Sequence, residues 1–184
     1  MDGRIREITE SMAEVADDAK ETFGMLTGEQ LNWKPAEGSW SIAQCLEHLI
    51  KTDAEFDAEF EKLIAGGRKN TFWQQWSPFT GMGGRFLVNA VKNDSKKVKA
   101  PSKAIVPPSE VDADIVSRFA EHISDVNRRI EAIAGIDLQK TVVTSPFLAV
   151  FTYTLDDALS VLVEHSRRHM RQAKRVIETP GFPG

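Results

Sequence analysis

Thr154–Ile177, TLDDALSVLVEHSRRHMRQAKRVI, carries helical periodicity. Leu155, Leu159, Leu162, His165 or Ser166, His169, Ala173 and Val176 recur at the three-to-four-residue spacing of a helix with one apolar face. Asp156 and Asp157 suit the positive end of the helix dipole, and Pro180 lies just beyond the stripe. His165 and His169 are four residues apart, so a helix puts both rings on one face about one turn apart. They stand where leucine would serve a plain core. An unpaired polar group there costs about 1–3 kcal/mol on burial. One metal ion satisfies both rings; alternatively, one caps a carbonyl and the other reaches solvent.

Three further stretches show the same periodicity. Ile5, Ile8, Met12, Val15, Ala19 and Phe23 mark a helix from about Ile5 to Leu26. A second runs from Ser41 to about Ala65, with Ile42, Cys45, Leu46, Leu49, Asp53, Phe56, Phe60 and Leu63 on its stripe. Ser41 and Gln44 form a capping box at its start, and Gly66-Gly67 ends it. A third begins at the start signal Ser109-Glu110-Val111-Asp112. It carries Val111, Ile115, Phe119, Ile123, Val126, Ile130 and Ile133 and ends at Gly135. Val142–Tyr153 is partly β-branched but interrupted by Pro146, and reads as a packed connection. Four amphipathic helices and no convincing sheet predict an all-α helical bundle.

The 184 residues suit one domain, spanning 1–184, with a sizeable core. Hydrophobic residues at 41% and charged residues at 27% are those of a soluble globular protein. A net charge of −4 argues against a general nucleic-acid binder. The charged N-terminus lacks the apolar run of a secretory signal, and no segment approaches the ~20 apolar residues of a membrane span. The expected location is the cytoplasm, with no membrane partner. A single cysteine, Cys45, excludes an intrachain disulfide.

His48 changes the weight of the histidine pair. It lies about 60° round from Cys45, at the flank of the second stripe, where it faces a neighbouring helix or the mouth of a bundle. Metal sites in small bundles are built from side chains on facing helices. Three histidines leave a fourth position open, the arrangement of catalytic metal sites, and suit Zn, Ni or Fe. Cys45, one turn before His48, is a small core residue or a thiolate near that site. Asp53 is a partner of the site, an acceptor for a ligand histidine, or the mate of a basic side chain. His122 has no evident partner. Phe72, Trp73, Trp76 and Phe79 make a lid, an anchor for a long connection or a dimer face. Lys92, Lys96, Lys97, Lys99 and Lys103 make a solvated loop or a contact for an anion.

Trp33-Lys34-Pro35-Ala36-Glu37-Gly38-Ser39-Trp40-Ser41 leads into the helix of His48. Together with His165-Ser166-Arg167-Arg168-His169-Met170-Arg171-Gln172, it resembles the DinB-like superfamily. The resemblance implies a four-helix bundle of up-down-down-up topology, with a long crossover between the second and third helices. It also implies a divalent transition metal held by His48, His165 and His169, with Gln172 as a supporting partner. Many members are dimers, so a homodimer is expected. Characterised members include thiol-dependent S-transferases, which implies metal-assisted activation of a low-molecular-weight thiol toward a small-molecule substrate. The same site activates water in a hydrolase. A non-catalytic metal- or ligand-binding protein of stress response or interaction is the alternative. No catalytic base is identifiable.

Overall fold

The computed structural model describes residues 3–66, 88–89, 91–92, 102–147 and 151–184. In chain order these form α1 (Gly3–Phe23), α2 (Gly28–Asn32), α3 (Ile42–Ala54), α4 (Asp57–Ile64), α5 (Ile115–Ala132), β1 (Val142–Thr144), β2 (Thr152–Thr154) and α6 (Leu155–Ile177). Val88, Asn89, Val91 and Lys92, within the long connection after α4, are helical as well. The aromatic stretch Phe72–Phe79 and the lysines from Lys96 to Lys99 lie outside the described residues.

The apolar stripes set the packing. Every stripe position of the first helix is buried, as is every one of the second, from Ile42 to Leu63. On the third stripe Ile115, Phe119 and Ile130 are wholly buried. On α6, Ser166 takes the centre of the buried face at 0% exposure, while His165 sits at its edge. α1 packs on both α5 and α6, and so does α3, which makes the helical bundle and turns α3 toward α6.

Local chemistry fixes the boundaries. The Ser41 side chain accepts from the Gln44 N–H, and Gln44 Oε1 accepts from the Ser41 N–H, so the capping box forms and α3 starts at Ile42. Ser41→Ala is expected to cost about 1 kcal/mol, read as a lower urea midpoint with an unchanged slope. Gly66 and Gly135 take φ of 67° and 103°, the left-handed conformation that ends helices cheaply.

Four expectations are corrected. The second helix is two pieces, because Glu55 and Phe56 bond back three residues to Thr52 and Asp53 rather than four. The connection before it, Thr27 to Trp40, which the sequence marks only by Pro35 and Gly38, holds α2, started by a Thr27–Gln30 capping box. α5 begins at Ile115, not at the Ser109 signal. Asn32 donates to the Val111 carbonyl and accepts from its N–H, which holds Val111 outside any helix. Finally, Val142–Thr144 and Thr152–Thr154 pair as a short antiparallel ladder, Val143 opposite Tyr153, with Pro146 safely beyond the paired residues. Among the described residues no helix is long and apolar enough to cross a membrane.

Candidate metal centre

The packing of α3 on α6 brings His48 to His165 and His169. One ring nitrogen from each lies within 4.8 Å of the others, a grouping that could hold a metal ion. Ring centroids stand 5.2 Å apart for His48 and His165, 4.7 Å for His48 and His169, and 4.6 Å for His165 and His169. The helical repeat supplies the third of these distances; the other two depend on tertiary packing.

Hydrogen bonds orient the rings. His48 Nδ1 lies 2.8 Å from the Ile105 carbonyl oxygen. A carbonyl can only accept, so Nδ1 carries the proton and Nε2 is left with its lone pair. A carbonyl behind a histidine in this way is the usual backing of a metal-ligating imidazole. His169 has its Nδ1 buried with no hydrogen-bond partner, while Gln172 hydrogen-bonds the ring. Trp40 walls the cluster, stacked on His169 at 5.7 Å and 28° and tilted on His48 at 4.7 Å.

The cluster is electrostatically prepared for a cation. Burial lowers the pKa of His48, against the pull of the Ile105 carbonyl. Burial, with the neighbouring His48 and Arg168, pushes His165 down to about 3. Burial, then His165, His48 and Arg168, takes His169 down to about 2, while Gln172 works in the opposite direction. Three imidazoles that stay uncharged at neutral pH are the form a metal requires. The orphaned nitrogen of His169, the carbonyl-backed His48 and the all-nitrogen donor set fit a divalent transition metal.

The other sequence candidates are sorted by the same geometry. Gln172 hydrogen-bonds the His169 ring. Asp53 is not in the cluster. Five residues from His48, it is turned about 140° round α3. There its carboxylate faces His122 Nε2 at 3.5 Å, so the partner that neither residue has in the sequence is the other. Cys45 is fully buried, and burial pushes its thiol up to about 12, which makes it a core thiol rather than a thiolate at neutral pH. Lys92 lies 4.0 Å from Glu164. The backing carbonyl of Ile105 carries no side-chain signature that a sequence displays. Trp40 is visible there only as part of a motif.

A family model described as the DinB superfamily matches residues 11–173. Among solved structures, YfiT from Bacillus subtilis, described as a probable metal-dependent hydrolase with an unusual four-helix bundle topology, superposes with a TM-score of 0.61. The match covers 100% of this chain and 91% of that one at 14% identity, a likeness of fold. No curated protein matches the sequence.

Proposed function

The chain belongs to the DinB superfamily, and on that premise we propose that it is a metal-dependent enzyme whose protein ligands are His48, His165 and His169. The observation that carries this reading is the convergence of three buried or half-buried imidazole nitrogens, from two helices, within 4.8 Å. Zinc, nickel and iron all suit that donor set. Three protein ligands leave room for one small molecule in a fourth position. A metal held there supplies Lewis acidity, lowering the pKa of water or of a low-molecular-weight thiol so that either serves as a nucleophile near neutral pH.

The chain's own residues do the rest. Ile105 holds the His48 proton on Nδ1. Gln172 steadies the His169 ring. Trp40 presents an indole face that keeps bulk water from one side of the cluster. The description of YfiT supports water as the nucleophile. The thiol-dependent members of the superfamily support a thiol. The same reading carries the up-down-down-up helix order, with a long crossover between the second and third long helices, and a homodimer.

The test loads the protein with Zn, Ni or Fe and offers activated esters, amides and small electrophiles, with bacillithiol, mycothiol, glutathione or no thiol. Turnover is expected only in metal-loaded samples and should be lost on chelation. Hydrolysis without thiol selects the water reading; consumption of an electrophile only with thiol selects the transferase. No turnover with any metal overturns the enzyme reading and leaves non-catalytic binding.

A further inference from the structure

Residues 105–111 run as a strap along α3 and are tied down by side chains. Gln44 Nε2 donates to the Pro108 carbonyl at 2.8 Å, His48 Nδ1 to the Ile105 carbonyl at 2.8 Å, and Lys51 Nζ to the Val106 carbonyl at 3.3 Å. Gln44, His48 and Lys51 are four and three residues apart, so they share one face of the helix. Lys34 Nζ donates to the Ser109 carbonyl at 2.9 Å, and Asn32 brackets Val111. The strap is also sunk into the fold, with Ile105 2% exposed.

We propose that Gln44, seconded by Lys51, is a positioning residue for the metal centre, acting through the strap on the tautomer of His48. The inference rests on the metal reading above. With the strap docked, the Ile105 carbonyl keeps the proton on Nδ1 and leaves Nε2 bare for an ion. With the strap loose, Nδ1 loses that acceptor, and Nε2 carries the proton part of the time. Strap docking and metal binding therefore favour the same state of His48 and must assist each other equally. The Gln44 amide is well placed for this, because its Oε1 closes the α3 capping box while its Nε2 holds the strap. One side chain thus sets both where the helix of His48 begins and where its carbonyl partner lies.

The experiment compares wild type with Gln44→Met, Lys51→Met and Ser41→Ala. Co(II) affinity is measured by competition with a chelator, and the His48 ring nitrogens are followed by 15N NMR in the metal-free protein. Ser41→Ala weakens the same cap but spares the bond to Pro108, so it should leave both readouts unchanged. Gln44→Met should lower Co(II) affinity about tenfold, the lower range for partners behind a ligand. Its His48 signals should shift from an Nδ1–H ring toward a tautomer mixture. Lys51→Met should do the same more weakly. An intact Nδ1–H signature with unchanged affinity in Gln44→Met overturns the inference, as does an equal loss in Ser41→Ala. If instead wild type and His48→Ala bind Co(II) alike, the metal reading itself has failed. The tautomer readout, which needs no metal, still decides the role of the strap.

Discussion

His48→Ala and His169→Ala are each expected to abolish metal binding, taking elemental analysis from about one ion per chain to near none. The two variants attack the site from different helices. His48→Ala leaves His165 and His169, a pair that any helix can present. His169→Ala leaves His48 and His165, a pair that exists only because α3 packs on α6. Two imidazoles and no carboxylate make a poor site for a divalent ion, since His48, His165 and His169 form the single qualifying group among the described residues. Neither change should unfold the bundle. The His169 nitrogen is already an unpaired polar atom inside the structure, and the His48 position is flanked by an intact cap at Ser41. Circular dichroism should therefore remain helical while the metal disappears. Full metal content in both variants would sink the three-histidine site.

The contrast between those two pairs marks how far the sequence can be read. The stripes of α1, α3, α5 and α6 follow from hydrophobic spacing alone, because helical period and burial are the same statement in a bundle. His165 and His169 are legible as neighbours for the same reason. That His48 meets them depends on which helices share a face, and spacing within one helix carries no such information; the family motifs supply it. Ser166, not His165, takes the buried centre of α6. At 100° per residue both fit the stripe, and only the packing of α6 on its neighbours separates them. The misplaced start of α5 has a tertiary cause. Ser109–Asp112 is a sound helix signal, overridden because Asn32, far away in the chain, uses both backbone groups of Val111. The Ile105 carbonyl is out of reach, since every residue type offers one.

Asp53 and His122 yield the second large effect, because their pairing puts a carboxyl group inside the core. Asp53 is 1% exposed and neither carboxylate oxygen has a hydrogen-bond partner; His122 Nε2 stands 3.5 Å away, a close approach rather than a formed hydrogen bond. Burial raises the Asp53 pKa, His122 lowers it, and Asp57 raises it again. His122→Leu removes the interaction that favours the carboxylate. It is expected to destabilise the fold by about 3–5 kcal/mol at pH 7.5, the range for orphaning one member of a buried pair. The pH dependence has a definite sign. The folded variant holds its Asp53 proton at higher pH than the unfolded chain does, whose aspartates titrate near 3.9. The folded state therefore binds more protons, and the variant gains stability as pH falls from 7.5 toward 5. Urea unfolding at the two pH values measures this. Asp53→Leu combined with His122→Leu should regain most of the loss, because two apolar groups of matching volume need no partner. Metal content discriminates the roles of Asp53. If the carboxylate serves only His122, Asp53→Asn leaves metal affinity unchanged. A tenfold loss of affinity would instead make Asp53 a partner of the histidines, reached through a path other than direct contact.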